Sequence, residues 1–415
     1  MLTSKYIRAL IALFFVYTNL LGQEINSINF EGSKKVNTQF LKNLITSKEG
    51  DQIKVENLEN DIQLLQRLPV VAKASYQINK EDQTVTFNIV DNTTIIPFIN
   101  VFGTLNNEIG FVSGINEHNF LKRSLKIGGW YQRNIYNSFG FNFGAPYLIG
   151  NKYGISINAS RLQNLEPLQF GEVTTLYKFS LEAAEIVQTY RINTKNEFRL
   201  GTGLLFENYQ VKENQAPDAP DDFKVNKKLI KLAHQYNNLK YDYYLVTGLY
   251  NETSFQYITD DYIENFNMIT NDFRYFKKIK NKGNWSNRVI IGLATNNPSP
   301  FAPFVFDNNT NIRGAGVKIQ RGTSIIVFNT EYRHTWLDKK NIVLQSNLFI
   351  DSGFIRESGK DLDNLLDSNQ SKTYGGIGAR LIHKRIFGLV LRGDFGFDLT
   401  HGNSPGFVFG VGQFF

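Results

Sequence analysis

A loop near the C-terminal end of the chain carries an arginine between small residues, and its charge is the clearest chemical signal in the sequence. The loop has the sequence Asn311-Ile312-Arg313-Gly314-Ala315-Gly316 and lies between two long amphipathic segments. A guanidinium presents its N–H donors in a planar fork that matches a carboxylate, so the pair forms bidentate hydrogen bonds. These residue types therefore indicate a structural ion pair, so an Asp or Glu elsewhere in the chain should be the partner of Arg313.

Two acidic residues qualify as partners by strand alternation. On the segment after the loop, apolar residues at every second position turn Glu331 to the opposite face, together with Asn329 and Arg333. On the next segment the same alternation turns Asp351 to that face. The apolar residues that set these two alternations are Ile326, Phe328, Tyr332, Leu344, Leu348 and Ile350.

The same period-two pattern begins near residue 95 and continues to the end of the chain. We predict about sixteen strands, with long connections such as 295–322 alternating with short ones such as 281–284. In water the apolar face would need a second layer, whereas in lipid a closed barrel satisfies every backbone group. The pattern therefore predicts a mostly β protein with a transmembrane barrel at 93–415, and a large soluble β-protein is the alternative.

The amino-acid composition excludes several classes of functional site. The chain of 415 residues has no cysteine, which excludes disulfides, cysteine-ligated metals, cysteine nucleophiles and a lipidated N-terminal cysteine. Its five histidines are scattered and show no metal-ligand spacing. We therefore predict no cofactor and no metal. Aromatic residues make up 14% of the chain, which together with the missing cysteines is typical of outer-membrane barrels.

The first 22 residues predict a secretory signal peptide. Lys5 and Arg8 precede an apolar run at 9–16, and Gly22 is a small residue suited to cleavage. A membrane anchor is the alternative, but the run is shorter than the ~20 apolar residues of a spanning helix. Export argues against a nucleic-acid partner, although the formal net charge is +7.

Residues 23–92 predict a small α/β domain with the order strand, helix, helix, strand, strand. Asn37 can cap the first helix, and Pro69 ends the second. The turn 80–83 joins the last two strands as a hairpin. An unpaired strand edge in such a domain can accept an extended segment of another chain.

Several of these features together resemble the BamA/TamA/FhaC superfamily of outer-membrane proteins. The N-terminal order of elements, with Phe30-Glu31-Gly32 before two short helices, is similar to a POTRA domain. Ile312-Arg313-Gly314 matches the aliphatic-Arg-Gly motif of the superfamily, and Phe349-Ile350-Asp351-Ser352-Gly353 matches its Phe-x-Asp-x-Gly segment two strands later. A terminal phenylalanine on the closing strand resembles the sorting signal of outer-membrane barrels. Each motif is common alone, and their joint occurrence carries the resemblance.

The resemblance implies a C-terminal 16-stranded antiparallel transmembrane β-barrel with one N-terminal α/β POTRA domain. It implies that the sixth outer loop, about 295–322, folds into the barrel and that Asp351 accepts the Arg313 side chain, with Glu331 as a second candidate. The superfamily usually has an aromatic residue where this chain has Ala315, so the packing role of that position is open. The predicted structural lock comprises Ile312, Arg313, Gly314, Glu331, Phe349, Asp351 and Gly353.

The two ends of the barrel sequence must meet to close it. The first strand, near 97–103, would pair with the last, near 407–415, but Pro97 lacks an N–H and glycines weaken strand packing. The resemblance implies a seam that could open sideways, and an ordinary closed seam is the alternative. Alternation places Phe407, Phe409, Val411 and Phe415 on one face of the last strand and Gly410 and Gly412 on the other.

The resemblance also implies a function, namely insertion or translocation of polypeptides in the outer membrane of a Gram-negative bacterium, without enzyme chemistry. Expected partners are unfolded outer-membrane or secreted client polypeptides, outer-membrane lipid and accessory lipoproteins, with the POTRA domain in the periplasm. A passive pore or receptor barrel is the alternative, and an enzyme is a third class. The sequence shows no ordered Ser, His and acidic set, and the cluster of Asp218, Asp221 and Asp222 predicts a solvated loop face, with calcium binding as the alternative.

Overall fold

The computed structural model describes residues 24–415 apart from 104–108, 243, 263, 298, 300, 309, 317–319, 387–388 and 403–404. The predicted signal peptide therefore lies outside the described residues. The chain divides into two compact units, one up to Asp91 and one from Asn92 onward. No helix within the described ranges has the length and apolar character needed to cross a membrane.

The first unit is a three-stranded sheet with two helices. Its elements are β1 (Ser27–Glu31), α1 (Thr38–Leu44), α2 (Val55–Gln66), β2 (Val71–Asn79) and β3 (Thr84–Asp91). β3 lies in the centre, parallel to β1 and antiparallel to β2. The side chain of Asn37 accepts the Phe40 N–H and caps α1 as predicted. The core is built from the apolar faces of these elements and includes Leu41, Leu44, Leu58, Leu65, Val85 and Phe87.

A buried carboxylate joins the two helices of this unit. Asp61 of α2 is fully buried, and its oxygens accept the backbone N–H groups of Thr46 and Ser47 at 2.5 and 3.0 Å. Both N–H groups belong to the segment that follows α1. Asp61 therefore holds the end of α1 against α2.

The second unit is a closed barrel, which confirms the predicted fold class. Sixteen strands form its wall, β12 pairs with the start of β13, and β16 pairs with β17 inside a connection. In chain order the strands are β4 (Ile95–Gly103), β5 (Ile109–Phe120), β6 (Leu125–Arg133), β7 (Asn137–Ile149), β8 (Tyr153–Phe170), β9 (Val173–Arg191), β10 (Asn196–Glu213), β11 (Phe223–Asn237), β12 (Lys240–Asp242), β13 (Leu245–Asp260), β14 (Phe266–Ile279), β15 (Gly283–Ala294), β16 (Phe304–Phe306), β17 (Gln320–Gly322), β18 (Ser324–Asp338), β19 (Ile342–Arg356), β20 (Lys372–His383), β21 (Val390–Asp398) and β22 (Gly406–Val411).

Chain direction defines the two ends of the barrel. We call the end at which β4 begins the inner end and the opposite end the outer end. Eleven wall strands precede the connection 295–323, which makes it the sixth outer loop. Outer connections such as 295–323 and 357–371 are long, whereas inner turns such as 121–124 and 280–282 are short.

Each of the sixteen wall strands exposes at least one large apolar or aromatic side chain, and polar residues alternate with them. On β18, for example, Phe328 and Tyr332 are exposed while Glu331 is buried inside. A continuous apolar belt around a whole barrel is far larger than the patches that soluble proteins leave exposed, and it matches a lipid-facing surface. Aromatic residues exposed near the inner end include Tyr153, Tyr190, Trp285, Tyr332 and Trp336.

The end of the chain differs from the predicted strand. β22 ends just before Gly412, which has a φ of +98°, and the following residues turn into the barrel. Phe414 and Phe415 are each only 8% exposed and cluster with Phe276. The prediction that Phe415 shares one face of the last strand with Phe407, with Gly412 on the other face, is therefore wrong. The left-handed conformation at Gly412 ends the alternation on which that prediction rested.

We expect Asp61→Ala to destabilise the first unit, because two backbone N–H groups lose their acceptor in a buried site. The local free energy of unfolding should fall by about 1–3 kcal/mol. Hydrogen exchange of amides 24–91 in the full-length protein measures this, with Glu56→Ala on the exposed face of α2 as the control. Equal protection in both variants would contradict the role of Asp61.

Candidate functional site

Arg313 lies inside the barrel with its side chain completely buried. Its Nε and Nη2 donate to the two carboxylate oxygens of Asp351 at 2.8 and 2.9 Å, and its backbone N–H donates to the same carboxylate at 3.0 Å. Its Nη1 donates to Glu331 at 2.5 Å. Both acids that strand alternation indicated as partners thus contact the arginine of the loop.

Adjacent wall strands position the two acids. Glu331 lies on β18 and Asp351 on β19, and Asn329 is the cross-strand neighbour of Asp351. The Asn329 side chain donates to Asp351 at 2.8 Å and to the carbonyl of Asn311 in the loop at 2.7 Å. Asn329 therefore orients the carboxylate and holds the loop backbone at the same time.

Two aromatic rings enclose the guanidinium. The Arg313 Cζ lies 3.8 Å from the centre of the Phe349 ring and 4.3 Å from that of Phe414. Such contacts stabilise a cation more strongly where water is excluded. Phe349 belongs to the predicted lock, whereas Phe414 was missed because the predicted last strand ran to the end of the chain.

The remaining lock residues provide an apolar seat for the loop. Ile312 is fully buried in a cluster with Phe306 of β16 and residues of β18, β19 and β20. A Cβ at Gly353 would lie 2.6 Å from atoms of both Ile312 and Phe306, so the missing side chain provides the space for them. Ala315 packs against the same cluster and is partly buried.

The ion pair belongs to a larger buried network. Asp394 of β21 lies 3.7 Å from Arg313 and is also paired with Arg380 at 2.9 Å and Arg392 at 3.2 Å. Glu331 is shared with Arg333, which lies beside it on β18. Four guanidinium groups and three carboxylates are thus interleaved. Strand alternation predicted an inward Arg333, whereas no role was predicted for Arg380, Arg392 or Asp394.

Burial and pairing act in opposite directions on the arginine. Burial by itself would lower the pKa of the Arg313 guanidinium, but the carboxylates of Asp351 and Glu331 outweigh it and raise the pKa above its ordinary value. The arginine therefore stays charged, and removing one partner would leave a buried charge unpaired. In comparable buried pairs this costs about 3–5 kcal/mol.

The tip of the loop touches the last two strands. Gly314 has a φ of +92°, and a Cβ there would lie 2.9 Å from the Gly396 backbone on β21. A Cβ at Gly406, the first residue of β22, would lie 2.4 Å from the Gly314 carbonyl oxygen. Three glycines therefore let two strands and the loop approach backbone to backbone, and only glycine fits this packing.

The last strand is bound to the lock and also borders the seam. β22 lies between β21 and β4, and with six residues it is shorter than the other fifteen wall strands. Phe407 is 63% exposed, Phe409 is partly exposed, and Gly410 is buried next to the guanidinium of Arg392. Pro97 of β4 is exposed. β22 is thus attached to the lock at both of its ends, by Gly406 at its start and by Phe414 just after its last residue.

The outer part of the sixth outer loop reaches the opposite wall. Arg321 of β17 forms an ion pair with Glu166 of β8. The Phe301 ring lies 5.2 Å from Tyr209 and 5.4 Å from Phe223, within an aromatic cluster on the extended outer parts of β8 to β11. The loop is therefore attached to two sides of the barrel, and it crosses the lumen between them.

The acidic cluster proposed as a loop face makes local hydrogen bonds. Asp222 accepts the Val211 N–H at 2.9 Å, and Asp221 accepts from the Gln215 side chain at 2.9 Å. Among the described residues, no group of three or more His, Asp or Glu side chains has a metal-binding arrangement.

We expect Arg313→Ala to release the sixth outer loop, because Asp351 and Glu331 lose their shared cation. The loss of docking free energy should be about 3–5 kcal/mol. Protease cleavage within 295–323 in purified full-length protein measures it. Arg161→Ala is the control, since Arg161 is an exposed residue of β8 paired with exposed Glu182; equal cleavage in both variants would contradict the lock.

Gly396→Ala should release the same loop while leaving every charge in place. The new Cβ would lie 2.5 Å from the Arg313 carbonyl oxygen, so the loop or the strand must move. Gly393→Ala on the same strand is the matched control, because its Cβ meets the Phe407 ring at 3.4 Å. Cleavage within 295–323 should rise only for Gly396→Ala. A docked loop in that variant would show that the close approach is not required.

Comparisons with known proteins agree with this architecture. Residues 23–92 match the POTRA family, described as surface antigen variable number repeat. No curated protein matches the chain significantly. Among solved structures, the chain resembles BamA from Haemophilus ducreyi lacking POTRA domains 1–3, with a TM-score of 0.56 and 14% identity over 94% of this chain and 84% of that one.

Two CdiB structures are similar as well. CdiB from Acinetobacter baumannii has a TM-score of 0.61 and 12% identity over 94% of this chain and 74% of its own. CdiB from Escherichia coli has a TM-score of 0.66 and 11% identity over 95% of this chain and 77% of its own. Identities this low establish a shared fold. The chain thus combines a POTRA domain with a sixteen-stranded barrel in the fold of BamA and CdiB.

Proposed function

We propose that this protein resides in the outer membrane of a Gram-negative bacterium and helps to insert or translocate other polypeptides, without making or breaking bonds. The observation that carries the proposal is the combination of a POTRA domain with a barrel whose lumen is crossed by a docked loop. A passive pore needs neither feature. The exposed apolar belt on all sixteen wall strands supports the membrane location.

The POTRA domain offers a surface for extended clients. β3 is the central strand of its sheet, and among residues 24–91 β1 and β2 each pair with β3 alone. The nine residues of β2 form the longer edge. An edge strand of this length can bind an extended polypeptide through main-chain hydrogen bonds with little sequence specificity. Unfolded outer-membrane or secreted polypeptides have the required chemistry, and accessory lipoproteins are proposed as further partners from the resemblance alone.

The barrel contributes through the lock and the seam. β22 is short, borders β4 and is attached to the lock by Gly406 and Phe414. The state of Arg313 therefore bears directly on the strand that would have to move if the seam opened toward lipid. The role of Arg313 is to fix the shape of the barrel in its resting state.

Reconstitution tests this proposal. Full-length protein in lipid vesicles is given an unfolded outer-membrane barrel polypeptide, and folding of that client is followed by its protection from protease. We expect faster protection than in empty vesicles, a lower rate with Arg313→Ala and an unchanged rate with the control Arg161→Ala. A disulfide engineered between β4 and β22 should stop the activity until it is reduced.

Planar-bilayer recording distinguishes the alternative function. A resting barrel with a docked loop should show low conductance. Large and steady conductance, together with no effect on client folding or passage, would overturn the proposed function in favour of a pore.

A further inference from the structure

The connection between β11 and β13 has an unusual course at the inner end of the barrel. Most other inner turns have three or four residues, but this connection contains β12, which folds back on the start of β13 with Asp242 opposite Leu245. Gly248 allows the crossing, since its φ is +110° and a Cβ there would lie 2.2 Å from the Asn238 carbonyl oxygen. We call the described residues 238–242 and 244–246 the inner flap.

The root of the inner flap is fixed by a buried asparagine. The side chain of Asn284 on β15 is fully buried. It accepts the Val246 N–H at 2.8 Å and donates to the Val246 carbonyl at 2.9 Å. Val246 and Leu239 then pack against Phe276, Phe414 and Phe415 inside the barrel.

The far side of the inner flap reaches strands that are distant in the wall order. The Tyr244 hydroxyl donates to Asp338 at the end of β18 at 2.8 Å, and Asp338 also pairs with Lys384, whose Nζ lies 5.9 Å from the Tyr244 ring. The ring packs against three buried residues at the inner ends of β19, β20 and β21, namely Val343, Ile382 and Val390. The inner flap therefore extends from β11 and β13 across the inner mouth to β21.

The two attachments differ in strength. The root is a buried amide pair, whereas the far side is held by the Tyr244 side chain alone, through its ring and through hydrogen bonds with Thr335 and with Asp338, which is 45% exposed. A second ion pair, Lys278 with Asp242, includes an acid that is 65% exposed. Exposed ion pairs of this kind contribute little to stability. A firm root with a weakly held far side is the arrangement of a hinged cover.

We propose that the inner flap is a gate over the inner mouth of the barrel, with Tyr244 as its latch. Phe414 lies beneath the flap and also stacks on Arg313, so opening of the flap would uncover a contact of the lock. A client entering from the inner end would have to displace the flap before it could reach the lock. The gating role rests on the proposed function, whereas the closure of the mouth does not.

Thiol labelling tests the closure, since the chain has no cysteine of its own. Val343→Cys places a thiol under Tyr244, and Lys339→Cys places one on the exposed neighbouring turn. Adding Tyr244→Phe, which removes the hydroxyl and keeps the ring over residue 343, should speed labelling at 343 about tenfold, the order of effect of one lost hydrogen bond on a local opening equilibrium. Labelling at 339 should not change. Asp338→Asn is the milder second variant, and equal rates at 343 in all backgrounds would overturn the closure.

A cross-link tests the movement. The double variant Asp242→Cys, Lys278→Cys replaces an ion pair whose charged atoms lie 2.7 Å apart. A short, reducible bifunctional thiol reagent then links the two cysteines. Client folding in vesicles should fall when the link is made and recover when it is cleaved, while each single cysteine treated alike keeps full activity. Full activity in the linked protein would overturn the gate. Inactivity of the unmodified protein would instead count against the proposed function and leave the labelling result standing.

Discussion

A buried guanidinium inside a barrel is the constraint on which this structure depends. Arg313 satisfies Asp351 and Glu331 at once, and neither acid has solvent as an alternative partner. Desolvating these charges is costly, so the arrangement is stable only when all members are in place. The docking of the sixth outer loop and the position of the last strands both follow from that requirement.

The network also joins parts of the molecule that are far apart in sequence. Gly314 contacts β21 and β22 through backbone alone, and Phe414 covers the guanidinium from the other side. Below Phe414 lies the inner flap, and beyond Arg321 lies the opposite wall. A continuous path of packed groups therefore connects the inner mouth, the lock, the seam strand and the outer loop.

Strand alternation was sufficient to predict much of this. It assigned Glu331 and Asp351 to the lumen because the lipid side of their strands demands apolar residues, and the resemblance supplied the loop. Alternation failed at Gly412, where one left-handed residue ends the strand and turns the last side chains inward. Alternation also did not predict which strands the inner flap contacts. Tyr244 contacts β18 and β20 through the tertiary fold, and such contacts produce no periodic pattern in the sequence. The ion pairs that Arg380 and Asp394 form inside the barrel were not predicted, because pairing between strands leaves no periodic pattern in the sequence.

A double-mutant cycle on Arg313→Ala and Asp351→Ala, with opening of the loop 295–323 measured by protease cleavage in the full-length protein, tests the central claim most directly. A true buried pair predicts strongly non-additive effects, with a double variant little worse than either single one and therefore a coupling close to the loss of about 3–5 kcal/mol expected for each single variant. Additive effects, or a loop that stays docked in all three variants, would contradict the account.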